Sequence, residues 1–302
     1  MTFAVEAVNR QSHTANKAIS LQPIHSLLEI SPKYHAIFCD VWGVVHNGVV
    51  PFQHSVDALI KARQSGVKVV LVTNAPRPNH SVIAQLGDIG VDPNCYDAIV
   101  TSGDVTRALI AKALPKILHI GSEREAVLYE GLNVELVDEA SAQTIVCTGL
   151  YNDDVETPDD YAPQLARLHA RGLPMICANP DVMVERGDRM IWCGGALARD
   201  YAALGGKASM AGKPHHLIYE AAHKIANELT GKTLAKADIL AIGDGLFTDI
   251  KGATDYQIDA LYIAAGVHVH EYTKNHRIDE TAMRAFVAKH GFAPVASMAR
   301  LG

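Results

Sequence analysis

The chain has 302 residues, 48% hydrophobic and 20% charged, an ordinary balance for one or two globular domains. Its net charge is −6, with lysines and arginines spread along it, which excludes a basic nucleic-acid surface. No apolar run reaches the length of a membrane span, and five cysteines, odd in number and without CxxC spacing, suggest neither a disulfide framework nor a zinc site.

Several cysteines lie inside apolar runs and read as buried thiols, which fits a reducing cytoplasm. Residues 1–20 lack the compact apolar core of a secretory signal and read as a leader, either frayed or folded as a short docking helix.

From residue 36 onward, short apolar runs each end in a polar or glycine-rich turn. Residues 36–39 (AIFC) end at Asp40, 68–72 (KVVLV) at Thr73-Asn74, and 98–100 at Thr101-Ser102. Residues 116–120 (KILHI) precede Gly121, 144–147 (TIVC) precede Thr148-Gly149, and 174–177 (PMIC) end at Ala178-Asn179-Pro180-Asp181. Residues 158–171 have a helical pattern, with Leu165 and Leu168 on the apolar face. Residues 238–242 (DILAI) then lead into Gly243-Asp244, and 260–263 into Ala264-Ala265-Gly266. This rhythm predicts a parallel sheet with crossover helices on both faces. The middle runs predict a second α/β unit inserted into the first. The expected division is a core of residues 21–102 and 205–302 and a cap of 103–204, with Gly194-Gly195 and Gly205-Gly206 marking the return to the core.

Ligands of open parallel sheets bind at the carboxyl ends of the strands. Asp40 stands at such an end, followed by Val41-Trp42-Gly43, and can act as nucleophile or metal ligand; a turn residue is the plainer reading. Thr73 and Asn74 offer a hydroxyl and amides suited to phosphate oxygens. Gly212-Lys213-Pro214 opens a helical stretch over 215–224, where a lysine can offset anionic charge. Asp244 and Asp249, five apart around a glycine turn, supply the hard oxygen ligands that suit Mg²⁺. His215, His216 and His223 lack simple metal-ligand spacing and read as solvated, and His268 and His270 read as structural.

In order, Asp, Thr, Lys and GDxxxxD resemble the four motifs of the haloacid dehalogenase (HAD) superfamily. The long insert before Lys213, with Ala178-Asn179-Pro180-Asp181, is similar to its class IIA, NagD-like members. The resemblance covers about Tyr34 to Gly266. It implies a Rossmann-like core with an α/β cap and a phosphatase acting on a small phosphorylated metabolite through an aspartyl-phosphate at Asp40. It implies Mg²⁺ held by Asp40, the Trp42 carbonyl and Asp244, with Asp249 supporting. Thr73, Asn74, Trp42 and Gly43 would meet the phosphoryl group, Lys213 would neutralise charge, and Asn179 and Asp181 would lie near the substrate. A homodimer formed through the cap is common among such relatives; neither nucleic acid nor membrane is an expected partner.

One position departs from the pattern. Phosphatases of the superfamily carry a second Asp two residues after the nucleophile, where this chain has Trp42. An indole N–H donates but cannot exchange protons at neutral pH, and general acid–base catalysis is typically worth ~10²–10⁴-fold. Either another group such as His46 substitutes, or the substrate has a good leaving group, or the protein binds a phosphorylated ligand without turnover. An exposed loop histidine is the plainer reading of His46.

Overall fold

The structure is a computed structural model, and it describes residues 21–302 apart from 187–188. The leader assigned to residues 1–20 lies outside the described residues. In chain order the core opens with β1 (Gln22–Pro23), β2 (Ala36–Cys39), α1 (Gln53–Gln64), β3 (Lys68–Thr73), α2 (Asn79–Ile89), β4 (Ala98–Thr101) and α3 (Ser102–Ile110). Next come β5 (Lys116–Ile120), β6 (Glu135–Leu136), β7 (Thr144–Cys147), α4 (Ala162–Ala170), β8 (Met175–Cys177), β9 (Met183–Arg186), β10 (Arg189–Trp192), α5 (Gly194–Ala203) and β11 (Ala208–Met210). The chain closes with α6 (His216–Thr230), β12 (Ile239–Gly243), α7 (Lys251–Tyr256), β13 (Asp259–Ile263), β14 (Thr273–Lys274), β15 (Arg277–Ile278), α8 (Glu280–Lys289) and β16 (Ala296–Met298).

Two parallel sheets result. The first has seven strands in the order β1-β16-β13-β12-β2-β3-β4, and the second five in the order β11-β8-β7-β5-β6. Strand periodicity explains why the runs in the first sheet are apolar throughout. Ile37, Cys39, Val69 and Leu71 face one layer with Val56 and Leu59 of α1 and Leu86 of α2. Ala36, Phe38, Val70 and Val72 face the other with Ile218 and Ala222 of α6, Ala253 of α7 and Val287 of α8. Both faces are covered, so both registers must be hydrophobic.

The second sheet is the inserted unit. One face packs Ile145, Cys147, Met175 and Cys177 against Leu165 and Leu168 of α4 and Tyr201 of α5. The other packs Ile117, Val146 and Ile176 on Ile110 of α3. Helix α3 thus belongs to both units. It is capped by Thr101, whose hydroxyl accepts from the Asp104 amide at 2.9 Å while the Asp104 carboxylate accepts from the Thr101 amide. The Ser102 hydroxyl at its first turn donates across to the Ala178 carbonyl of the cap.

The return to the core is later than the sequence pattern suggested. Residues 208–210 pair in parallel with β8 and close the edge of the second sheet, so the crossover follows Met210 rather than falling at residue 205. Gly194-Gly195 does not mark that return; it opens α5, a cap helix. Among the described residues no helix is long and apolar enough to cross a membrane.

Leu71 is fully buried in the middle of the first sheet. Leu71→Ala should lower unfolding free energy by ~2–5 kcal/mol, read as a fall in the denaturant midpoint; a change under ~1 kcal/mol would mean that the layer collapses around the lost side chain.

Candidate active site

Strand register alone brings the acidic residues together. Cys39 pairs with Ile242 across β2 and β12, so Asp40 and Asp244 emerge one residue apart on neighbouring strands. The Asp40 amide donates to the Ile242 carbonyl at 2.8 Å, continuing the ladder into the site. Asp249 arrives on a π-helical turn over Leu246–Ile250, a wide turn of the kind found at functional sites. Thr73 ends β3 on the other side of Asp40.

Asp40, Asp244 and Asp249 are all buried, and one oxygen of each lies within 4.8 Å of the others. Lys213, 3% exposed, reaches between them: its Nζ is 2.6 Å from Asp40 Oδ1 and 2.7 Å from Asp249 Oδ1. Asp249 Oδ2 accepts from the Gly245 amide at 3.1 Å, and Asp244 Oδ2 from the Val267 amide at 2.9 Å. Three carboxylates against one ammonium leave two negative charges uncompensated if all ionise, and burial makes that costly. The proton affinities register the cost. Desolvation and then the charge of Asp40 push Asp244 well up, and the same two causes push Asp249 up to about 6. Asp40 is raised by desolvation, against which Lys213 works.

This donor set fits a hard dication. Ligand oxygens of an octahedral Mg²⁺ lie about 3–4 Å apart, within a small side-chain adjustment of the observed cluster. The Trp42 carbonyl accepts no hydrogen bond among the described residues and is available as a further ligand. Gly43 lets the loop pass: its φ is +84°, and a Cβ there would lie 2.4 Å from Asp244 Oδ2.

The residues singled out for phosphate and substrate are brought together, but not all are free to bind. Thr73 Oγ1 accepts from the Ala75 amide at 3.2 Å. The Asn74 side chain is fully engaged by protein. Its Nδ2 donates to Asp181 Oδ1 at 2.9 Å and to the Lys213 carbonyl at 3.1 Å, and its Oδ1 accepts from the Lys213 amide at 2.7 Å. An amide with both hydrogens and its oxygen spent has nothing to offer a phosphoryl oxygen, so its side chain is a clasp between core and cap. Asn179 likewise spends its Oδ1 on the Asp181 amide at 3.1 Å.

His46 is not the exposed loop residue of the plainer reading; it is 2% exposed. Its Nδ1 accepts from the Gly48 amide at 2.7 Å, its ring meets Trp42 edge-on at 5.2 Å, and burial lowers its pKa to about 4. A neutral, committed imidazole that resists protonation is poorly suited to acid–base exchange near pH 7. Trp42 is seated by the same loop: a Cβ at Gly48, φ +89°, would lie 2.5 Å from its Cη2. Of the other histidines, His215 and His216 are exposed as expected, His270 is exposed rather than structural, and His223 is engaged rather than solvated. His223 bonds to Tyr256 and the Leu234 carbonyl, and His268 packs against Phe247 and Phe286.

Sequence reading missed two contributors. The Val267 amide, which holds Asp244, is a backbone donor with no residue signature, although Ala265-Gly266 at a strand end was its one visible sign. The Ser102 contact to the cap is a long-range pairing that no local pattern encodes.

Family comparison agrees with this geometry. The haloacid dehalogenase-like hydrolase model matches residues 37–135, and a second HAD-hydrolase-like model matches 210–288. A crystal structure of a haloacid dehalogenase-like family hydrolase from Brucella suis 1330 is 53% identical, with TM-score 0.83, covering 92% of this chain and 100% of that one. The chain belongs to the haloacid dehalogenase-like hydrolase family. NagD from E. coli K-12 shares the fold at 20% identity and TM-score 0.63, covering 89% of this chain and 97% of that one. A D-glycerol 3-phosphate phosphatase of Mycobacterium tuberculosis is 25% identical over 253 residues, 79% of this chain. The chain spans 65% of that relative's length.

Removing one carboxylate charge should separate the cluster's two states. A folded-state carboxyl pKa above its ordinary value means the folded protein holds its proton more tightly. Without a cation, stability should therefore fall as pH rises from the ordinary carboxylate range through about 6 at Asp249. Asp244→Asn, which keeps an oxygen for the Val267 amide, should melt above the wild type in chelator at pH 7.5. Added Mg²⁺ should raise the melting temperature of the wild type and not of the variant. A wild type indifferent to Mg²⁺ would contradict the metal assignment.

Proposed function

We propose that this HAD hydrolase is a Mg²⁺-dependent phosphatase acting on a small phosphorylated metabolite through an aspartyl-phosphate at Asp40. The observation that carries the reading is the buried cluster in which Lys213 touches both Asp40 and Asp249 while Asp244 stands within 4.8 Å. Asp40, Asp244 and the Trp42 carbonyl would hold the cation, with Asp249 anchoring Lys213 beside it. When bound, the cation supplies positive charge against the oxygens of the transferring phosphoryl group.

The chain's own residues perform the remainder. Lys213 orients the Asp40 carboxylate and lowers the cost of bringing a second anion against it. The Thr73 hydroxyl, at the end of the neighbouring strand, holds a phosphoryl oxygen opposite Lys213. The Asp40 oxygen attacks phosphorus in line with the leaving oxygen, and water then cleaves the acyl phosphate. The second sheet is fastened beside this site through Asn74 and Ser102, where enclosure would limit water. The phosphatase among the relatives supports a small phosphomonoester as substrate. Five free, buried cysteines support residence in a reducing cytoplasm.

The test is phosphate release from p-nitrophenyl phosphate with and without Mg²⁺, for the wild type and Asp40→Asn. Release should require Mg²⁺ and fall to background in the variant, because the amide is no nucleophile. Equal rates in the two proteins would refute attack by Asp40.

A further inference from the structure

We propose that Asp181, carried by the cap, is the proton donor and acceptor for the reaction at Asp40, the role that Trp42 cannot fill. The assignment rests on the phosphatase reading and adds the group that reading lacks.

Position comes first. Asp181 follows β8 at the carboxyl edge of the second sheet, and that edge is fastened to the carboxyl edge of the first. The Ser102 hydroxyl donates to the Ala178 carbonyl, and the Asn74 amide donates to Asp181 Oδ1 at 2.9 Å. Asn74 is the neighbour of Thr73, so Asp181 is suspended over the strand end next to Asp40. In-line displacement sets the leaving oxygen on the side of phosphorus away from the nucleophile. Asp40 rises from the core sheet, so that side faces the cap.

Availability comes second. One carboxyl oxygen of Asp181 is held by Asn74, while Oδ2 has no hydrogen-bond partner among the described residues. The backbone is fixed at both ends of the residue: its amide donates to Asn179 Oδ1 at 3.1 Å, and its carbonyl accepts from the Gly195 amide at 3.1 Å. A side chain with an anchored oxygen and a free one is oriented for proton exchange without reorganisation.

The surroundings come third. Asp181 is recessed, open to the cleft but enclosed by protein. Desolvation raises its pKa, opposed by the Asn74 hydrogen bond and by Lys213, with the charge of Asp249 adding to the rise. The other ionisable groups around it are Asp40 from the core and the Cys177 and Cys193 thiols of the cap, both held protonated by burial. An ionised carboxylate against a phosphoryl dianion is repelled, whereas a neutral carboxyl donates a hydrogen bond to the leaving oxygen. His46, the other candidate, is buried, with Nδ1 accepting from the Gly48 amide and its ring resisting protonation.

The steps balance. Asp40 forms a bond to phosphorus, the bond from phosphorus to the leaving oxygen breaks, and the Asp181 proton passes to that oxygen to give the alcohol. Water then attacks the acyl phosphate and yields its proton to the Asp181 carboxylate. The bond from Asp40 to phosphorus breaks, and inorganic phosphate leaves with both carboxyl groups restored.

The experiment uses Asp181→Asn, whose amide oxygen still accepts from Asn74 and so keeps the clasp. Glycerol 3-phosphate, with a poor leaving group, and p-nitrophenyl phosphate, with a good one, are compared at saturating Mg²⁺. With the alkyl ester kcat should fall ~10²–10⁴-fold. With the aryl ester the first step needs no proton, so a burst of nitrophenol stoichiometric with enzyme should precede slow turnover, and intact mass should show the phosphoryl adduct. A uniform fall with both substrates and no burst would overturn the assignment and leave Asp181 as a cap fastener only. Unchanged rates would overturn it outright. A wild type that releases phosphate from neither ester would instead defeat the phosphatase reading. A melting temperature matching the wild type confirms that the variant is folded.

Discussion

A single ammonium among three buried carboxylates is the constraint around which the molecule is organised. Lys213 touches two of its neighbours but offsets only one negative charge of three, so the pocket retains an appetite for positive charge. Buried ion pairs are poor devices for stability, because desolvation consumes most of their attraction. Their value here is positional. The lysine is gripped by charge at its tip and by the Asn74 amide at its backbone, and Asn74 also takes hold of the cap. One asparagine thus fixes the counter-ion of Asp40 and the cap strand end above it.

Much of this was readable from sequence, for a definite reason. Parallel strands buried on both faces are apolar along their whole length, so the first polar residue after each run marks the sheet's carboxyl edge. Asp40, Thr73 and Asp244 announce themselves in that way, and register does the rest. What stayed hidden depends on contacts between distant residues. Asn74 looked like a phosphate ligand because it follows Thr73, and only the folded chain reveals that Asp181 and Lys213 exhaust its bonding capacity. Strand β11, three residues with none of them buried, has no pattern of its own; it exists because β8 offers an edge to pair with. His46 reads as a surface loop residue until the turn folds over it.

The tryptophan two residues after Asp40 does not stand alone. Trp42 lies against Gly48, which has no side chain to obstruct it, and meets the His46 ring edge-on, while His46 in turn accepts from the Gly48 amide. The three residues form a self-consistent turn, with Gly48 in a left-handed conformation that a larger residue adopts only at a cost. An aspartate set at position 42 alone would leave that turn without the ring it closes on. Trp42 is therefore built into its turn, and on the proposed reading the acid–base group comes from elsewhere in the fold.

The strand that completes the cap sheet leads within three residues to Lys213 and from there into helix α6 of the core. The ammonium is therefore carried on the crossover from cap sheet to core helix. One short stretch of chain thereby sets both the seat of the charge beside Asp40 and the edge of the sheet above it.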